Sequence, residues 1–210
     1  IIIGASSVAS AIGVGFKKQP ELVEELWKRY IPTSFDGQTV EERSMEILNS
    51  RESTKKILKE AENFESDIRK TLFTQHGTRN EDKTADADSA NLIRDNTFYD
   101  MKICEIEGTV YKIVGCVDRI QINEDGSRTL VEIKNRANKL FGRVRDYENI
   151  QCQTYLQMLG DIKYCRLIEQ FDEMRKAYLI EKNDEKWNDE IKPKLQNFCE
   201  HFHSMVSETV

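Results

Sequence analysis

The stretch that decides the fold reads Gly115-Cys116-Val117-Asp118 and, after a short turn, Val131-Glu132-Ile133-Lys134. Both segments have strand-forming residues, and Glu124-Asp125-Gly126-Ser127 between them has the composition of a hairpin turn. Because side chains alternate between the two faces of a strand, Glu132 and Lys134 point the same way. Two acids and a lysine on one face pack poorly, but they are well suited to hold a divalent cation beside a water molecule.

The register of this hairpin decides whether the two acids meet. Asp118 lies opposite Glu132 only if an odd number of residues forms the turn, as in a three-residue turn with Gly126 at a positive φ. A two-residue Asp-Gly turn would instead place Asp118 opposite Ile133. The metal hypothesis therefore predicts a bulged turn around Gly126.

An exposed sheet face explains the same triplet without any metal, since Glu132 and Lys134 would then form an ordinary surface ion pair. A carboxylate elsewhere in the chain favours the functional alternative. Residues 56–73 have the apolar spacing of an amphipathic helix, and Glu65 lies at the edge of its buried stripe. A carboxylate there needs a partner, which is either Arg69 one turn later or a metal.

Two further features point to a site, although each has a plain structural explanation. Gln151 and Tyr155 lie one turn apart on a predicted helix, where they could equally be ordinary polar helix residues. Ser6 and Ser7 lie at the start of a short predicted helix, where hydroxyls and free N–H groups suit a phosphate. A simple N-cap is the more frequent use of such serines.

The order of the predicted elements is helices, a run of strands, a helix, two strands and a helix. The predicted strands cover 98–105, 107–114, 115–122, 128–134, 162–169 and 176–181, with a helix over 149–159. This order predicts an α+β fold with a central, mostly antiparallel or mixed sheet flanked by helices. We expect one domain, with a helical part at 1–97, a sheet and helix at 98–182, and a C-terminal helix at 183–210.

Charge and composition limit the classes of function. The 210 residues carry a net charge of −6, which argues against binding to nucleic acid through bulk charge. A local basic segment with no acid is the exception, and it is either a solvated loop or a grip on a phosphate backbone. Its cations are Lys134, Arg136, Lys139, Arg143 and Arg145.

The cysteines and the hydropathy bear on location. The five cysteines are dispersed without a CxxC pair, which predicts reduced thiols in an intracellular protein rather than disulfides or a zinc site. No apolar run approaches the roughly 20 residues that cross a bilayer, so we expect no membrane partner.

Taken together, these residues resemble the PD-(D/E)XK nuclease superfamily. The motifs that carry the resemblance are Glu65, Gly115-x-Val117-Asp118, Glu132-Ile133-Lys134 and Gln151-x-x-x-Tyr155. Within the superfamily, the stretch from Ile3 to Gly13 is similar to the opening of the YqaJ-like viral recombinase branch, to which lambda exonuclease belongs, and 61–69 looks like the helical acid motif of that branch. The resemblance spans about residues 3–160. Two departures are Val117 in place of proline and the lack of an arginine upstream of Gly4.

The resemblance implies a restriction-endonuclease-like core and a set of residue roles. Mg²⁺ or Mn²⁺ would be bound by Asp118, Glu132, the carbonyl of Ile133 and Glu65. Lys134 would orient and activate the attacking water, Gln151 would position Lys134 or the scissile strand, and Tyr155 would support it. Independently of the resemblance, nearby cations and partial burial are expected to lower the pKa of Lys134. The roles in binding DNA and its 5′-phosphate would fall to Ser6, Ser7, Arg136, Lys139, Arg143, Arg145 and Tyr155.

The resemblance further implies a 5′–3′ exonuclease acting on double-stranded DNA ends in recombination, repair or replication. It would work in the cytoplasm or nucleus of a host cell or be virus-encoded, with a single-strand annealing or replication protein as a partner and a homo-oligomer as its assembly. The alternatives are an endonuclease, a RecB-like nuclease of single-stranded ends, an inactive DNA-binding module of the same fold, and an interaction protein with only a surface ion-pair cluster.

Overall fold

The computed structural model of the protein describes residues 1–15, 17–30, 84–86 and 91–208. Glu65, Arg69 and the predicted helix over 56–73 lie outside these residues. The strands are β1 (Ile2–Gly4), β2 (Leu92–Arg94), β3 (Tyr99–Ile106), β4 (Thr109–Gly115), β5 (Arg119–Ile122), β6 (Arg128–Asn135), β7 (Tyr164–Phe171) and β8 (Met174–Glu181).

The helices of the described residues lie mainly at the two ends of the chain and between β6 and β7. They are α1 (Val8–Ala11), α2 (Gln19–Tyr30), α3 (Asp146–Leu159), α4 (Asp184–Lys186) and α5 (Lys192–Ser207). A 3₁₀ turn at Ala5–Ser7 precedes α1, a π turn at Trp187–Ile191 joins α4 to α5, and residues 84–86 are also helical. Pro193 lies in the first turn of α5, where proline is tolerated.

The described chain is an α+β protein with mixed sheets flanked by helices, as the sequence predicts. Its strands form two sheets rather than one meander. The three-stranded sheet has the order β1-β4-β3, and the five-stranded sheet has the order β2-β5-β6-β7-β8. The chain crosses from the three-stranded to the five-stranded sheet at Cys116–Asp118, a segment that the sequence predicted to be strand. The reason is that β4 already has the parallel strand β1 along one edge.

Two short segments differ from the predicted helical character of residues 1–97. β1 pairs with β4 and β2 pairs with β5, so both are strands of the sheets. Ser7 does precede α1, but its side chain makes no capping hydrogen bond.

The parallel pair β6–β7 positions the helix that covers the candidate site. Parallel strands need a crossover connection, and here it consists of a loop at 136–145 followed by α3. Helix α3 packs against β7, β3, α1 and the 3₁₀ turn. It therefore brings its side chains toward the face of β6 that carries Glu132 and Lys134.

One apolar core joins the two sheets, and both faces of β6 are buried. Leu130 and Leu167 of the five-stranded sheet share this core with Tyr111 and Ile113 of the three-stranded sheet. On the opposite face of β6, Val131 and Ile133 form a smaller cluster with Ile168 and Ala85. The face that carries Glu132 is therefore an interior face, not the exposed one of the simpler alternative.

The five cysteines of the chain are all free thiols. Within the described ranges, none of the helices combines the length and apolar character needed to cross a bilayer.

Candidate functional site

The hairpin has the register that brings the two acids together. Arg119 pairs with Val131 and Ile120 with Leu130, and the same register continued by one residue sets Asp118 opposite Glu132. The turn contains three residues between Asn123 and Ser127, and Gly126 has a φ of 80°. The predicted turn of odd length, with Gly126 at a positive φ, is confirmed.

Asp118 is held against β6 by the backbone of that strand. Its residue lies in a bend directly before β5, and its Oδ2 accepts a hydrogen bond of 2.7 Å from the Ile133 N–H. The Arg119 guanidinium donates to the Asp118 carbonyl at 2.6 Å. The hydrogen bond from Ile133 fixes the Asp118 carboxylate next to Glu132 in the sequence of β6, and the Arg119 contact fixes the Asp118 backbone, although Asp118 itself is not in a strand.

Glu132, Lys134 and Gln151 form a closed polar network. Glu132 Oε1 accepts hydrogen bonds from Lys134 Nζ at 2.6 Å and from Gln151 Nε2 at 2.9 Å. Lys134 Nζ also donates to Gln151 Oε1 at 3.1 Å. The ion pair of the simpler alternative therefore exists, but Glu132 is only 3% exposed. A buried ion pair is a poor stabilising device, because desolvating both charges costs about as much as their attraction returns.

The second carboxylate oxygen of Glu132 has no partner among the described residues. Glu132 Oε2 is buried and makes no hydrogen bond. An unpartnered buried carboxylate oxygen is costly, and a cation is the group that would satisfy it. Hard oxygen donors such as Asp118 and Glu132 suit Mg²⁺ and Mn²⁺, so the residues present fit such an ion.

The ligand set among the described residues is incomplete. Across 1–15, 17–30, 84–86 and 91–208, no group of three or more His, Cys, Asp or Glu side chains gathers in a way that could hold a metal. The predicted third acid, Glu65, lies outside these ranges, and the role of the Ile133 carbonyl stays a prediction.

The local charges keep Lys134 protonated. Burial acts to lower the pKa of Lys134, but the charge of Glu132, their hydrogen bond and the charge of Asp118 together raise this pKa above its ordinary value. The lowered pKa was expected for Lys134 beside bound cations, so it stays a prediction. Lys134 is an ammonium group here, which can donate hydrogen bonds but cannot accept a proton.

Tyr155 closes the site on the side of the N-terminal segment. A Cβ added at Gly115 would lie 2.9 Å from Tyr155 Cε1 and 3.0 Å from Ala5 Cβ, so α3, the end of β4 and the 3₁₀ turn meet there. Burial, reinforced by the charge of Glu132, raises the pKa of Tyr155, which keeps its hydroxyl protonated. Ser6 and Ser7 follow Ala5 directly, and their contact with a 5′-phosphate stays a prediction.

The structure divides the basic segment into internal and external cations. Arg136 forms ion pairs with Glu148 at 2.7 Å and Glu169 at 2.9 Å, and both acids are fully buried. Arg136 lies over the ring of Phe141 at 4.0 Å, and Arg145 lies over the same ring at 4.5 Å. Lys139 and Arg143 are exposed. Arg136 is thus engaged inside the protein, a role that its place in the sequence did not indicate.

Sequence reasoning missed the acids that hold this loop. Glu148 and Glu169 lie in α3 and β7, and only Glu148 carries a local signal, since it is three residues after Arg145 and accepts a hydrogen bond of 3.1 Å from the Arg145 N–H. Glu169 sits in an apolar strand, Cys165-Arg166-Leu167-Ile168-Glu169. A charged residue in a buried strand is the one signal that could have marked it.

Comparisons with known proteins identify a similar fold but no family. No protein-family model matches the chain, and no curated protein matches it. A solved structure described as the crystal structure of SSO0001 is similar, with a TM-score of 0.50 and 15% identity over 94% of this chain and 75% of that chain. At this level of identity the likeness concerns the fold alone.

Proposed function

We propose that the protein is a metal-dependent DNA nuclease that hydrolyses phosphodiester bonds. The observation that carries the proposal is the meeting of the half-buried Asp118 and Lys134 at the buried Glu132, whose Oε2 lacks a partner among the described residues. A purely structural ion pair does not explain that oxygen. The resemblance of the sequence motifs to the PD-(D/E)XK nucleases supports the same reading.

Asp118 and Glu132 would hold Mg²⁺ or Mn²⁺, with the Ile133 carbonyl and Glu65 as further expected ligands. When bound, the cation would supply charge stabilisation for the scissile phosphate and acidify a water molecule. The backbone contact from Ile133 to Asp118 keeps one acid in place before any ion arrives. This preorganisation lowers the cost of assembling the site.

Lys134 would orient the attacking water and offset negative charge that develops on the phosphate. Its ammonium group is held by Glu132 and by Gln151, so it has a fixed direction. Gln151 contacts both partners through its two amide atoms and would act as a positioning residue. Tyr155, one turn later on α3, would support Gln151 from behind.

The finer proposal is a 5′–3′ exonuclease that acts on double-stranded DNA ends in recombination, repair or replication. It rests on the resemblance to the YqaJ-like branch, including the Gly4-Ala5-Ser6-Ser7 segment. An associated single-strand annealing or replication protein and a homo-oligomeric assembly are proposals on the same basis.

A cleavage assay tests the proposal. We expect the protein to degrade 5′-phosphorylated linear duplex DNA with Mg²⁺ and to stop when EDTA is added. Glu132→Gln and Lys134→Ala should each slow cleavage by about 100-fold or more, because each removes a group that acts on the reacting atoms. Lys112→Ala is the matched control, since Lys112 is an exposed lysine paired with Asp100 at 3.1 Å.

The substrates separate the competing functions. Degradation of linear but not closed circular duplex indicates an exonuclease, while nicking of the circle indicates an endonuclease. Preference for single-stranded ends favours a RecB-like enzyme. Binding of DNA without cleavage under all conditions would identify an inactive module, and full activity of Glu132→Gln would overturn the assignment of the site.

A further inference from the structure

The register of the five-stranded sheet places a second lysine beside the candidate site. Glu169 of β7 pairs with Lys134 on one side and with Lys176 of β8 on the other. Paired residues lie on the same face, so the row Lys134–Glu169–Lys176 faces α3 and the loop at 136–145. Strands lie about 4.8 Å apart, so the backbone of Lys176 is about 10 Å from that of Lys134.

Lys176 belongs to a group of cations without acid partners. Within the described part of the chain, Lys139, Arg143 and Lys176 make no hydrogen bond or ion pair, and all three are exposed. Many other cations are paired with acids, as Lys102 is with Glu105 and Lys112 with Asp100. Exposed lysines elsewhere, such as Lys18, Lys163 and Lys192, are also unpaired among the described residues. What sets Lys139, Arg143 and Lys176 apart is that they lie in the loop at 136–145 or next to it.

The loop brings Arg143 and Lys176 together at Gly142, and Lys139 precedes Gly142 by three residues in the same loop. Lys176 Nζ lies 3.8 Å from the position that a Cβ on Gly142 would occupy, and Arg143 is the next residue. Arg143 also lines a cleft of about 260 Å³ between Val14 and the start of α3. The cationic surface therefore extends from β8, across the loop, toward the N-terminal segment.

The position of the loop is fixed from inside by Glu169. Its carboxylate accepts hydrogen bonds from the Phe141 N–H, from the Gly142 N–H at 3.2 Å and from the Tyr178 hydroxyl at 3.3 Å. Arg136 adds an ion pair to the same carboxylate and donates its backbone N–H to the Gln170 carbonyl at 2.7 Å. The exposed cations thus stand on a rigid support rather than on a freely moving loop.

We infer that Lys139, Arg143 and Lys176 form a binding surface for the sugar–phosphate backbone of the DNA strand beside the candidate site, while Arg136 is a positioning residue that holds this surface. The inference rests on the proposed function and adds a residue from β8 that no motif marks. Each strand of duplex DNA carries one phosphate per about 3.4 Å of axis, so a surface about 10 Å wide spans about three phosphates. Flexible lysines and an exposed arginine contact phosphates without reading sequence.

The test measures binding of a fluorescent 5′-phosphorylated duplex by anisotropy, with Ca²⁺ in place of Mg²⁺ so that the DNA stays intact. We expect Lys176→Glu and Arg143→Glu to raise Kd about fivefold or more at low salt. Lys176→Ala should reduce the slope of log Kd against log salt concentration by about 1, the amount expected for the loss of one phosphate contact. Lys163→Glu is the matched control, because Lys163 is an exposed lysine just before the opposite end of β7.

A second measurement tests the role of Arg136. If Arg136 holds the loop, Arg136→Gln should accelerate tryptic cleavage after Lys139 and Arg143, whereas Lys176→Glu should leave the rate of cleavage unchanged. If Arg136→Gln weakens DNA binding but leaves the rate of proteolysis unchanged, Arg136 contacts phosphate directly and its positioning role is overturned.

The outcomes separate this inference from the proposed function. If the parent cleaves DNA but Lys176→Glu and Arg143→Glu bind as the parent and Lys163→Glu do, the surface is overturned and the nuclease stands. If binding depends on these cations but no cleavage occurs, the surface stands and the nuclease fails. A parent that does not bind DNA overturns both.

Discussion

At the scale of single residues, Gly115 is a position at the site where an added side chain would not fit. Any Cβ there would meet the Tyr155 ring at 2.9 Å and Ala5 at 3.0 Å, both closer than ordinary contact. We expect Gly115→Ala to lower the free energy of unfolding by about 1–3 kcal/mol, as overpacking does, and to slow cleavage by displacing Tyr155 and with it Gln151. Urea unfolding and the linear-duplex assay measure the two effects.

Gly4→Ala is the control for that substitution. Gly4 has a φ of −65°, which alanine adopts freely, and the nearest atoms to its added Cβ are serine oxygens at 3.7 and 3.9 Å. The change in stability should stay within about 0.5 kcal/mol. If Gly115→Ala is equally harmless, the close packing of Tyr155 against β4 is not what positions the helix.

The residues show which parts of a site can be predicted from sequence. The sequence reduced the register of Asp118 and Glu132 to two alternatives, because the register of a hairpin depends on the length and position of a local turn. Arg136 could not be assigned, since its partners Glu148 and Glu169 come from later elements. The direction in which the protein alone shifts the pKa of Lys134 could not be predicted for a related reason, because it depends on the charges of Glu132 and Asp118 that the fold places beside it.

At the scale of elements, the loop at 136–145 depends on the charge of one buried acid. Burial acts to raise the pKa of Glu169, but hydrogen bonds from the Phe141 and Gly142 backbone and the ion pair with Arg136 together lower it. A lowered folded-state pKa stabilises the protein above the ordinary glutamate pKa of about 4.3, and this contribution is lost as the pH falls through the folded-state value. We expect Glu169→Gln to cost about 1–3 kcal/mol at pH 7.

The difference between the parent and Glu169→Gln should therefore shrink below about pH 4, which urea unfolding at several pH values would show. Glu173→Gln serves as the control, since Glu173 is exposed in the turn between β7 and β8 and should differ from the parent by less than about 0.5 kcal/mol throughout. A difference for Glu169→Gln that stays constant between pH 7 and pH 3 would contradict a role for its charge.

The elements also show where sequence patterns lose information. Alternation and turn residues predicted β3, β4, β6, β7 and β8 near their observed bounds, because these signals are local. The division into two sheets could not be predicted, since it depends on β1 pairing with β4 from more than 100 residues away in the chain. Short strands such as β1 have too few residues for any periodicity to appear.

At the scale of the whole molecule, the candidate site lies at a junction of several structural layers. Asp118 follows the crossing from the three-stranded to the five-stranded sheet, Glu132 and Lys134 come from β6, and Gln151 comes from the crossover helix α3. These parts share one core that includes Leu130, Tyr111 and Leu156. Ligand binding at this junction is therefore coupled to the stability of the entire fold.

That coupling gives a global test for the metal. A cation that binds the folded chain and not the unfolded one stabilises it by about 2.7 kcal/mol at 100 times Kd. We expect Mn²⁺ to raise the Tm of the parent in thermal unfolding, because it satisfies the buried Glu132 Oε2, and EDTA to reverse the shift. Glu132→Gln should lose the shift, whereas Glu124→Gln, an exposed acid in the same hairpin turn, should keep it. An equal rise in Tm for Glu132→Gln would place the binding of Mn²⁺ elsewhere and leave the unpartnered oxygen of Glu132 without a role.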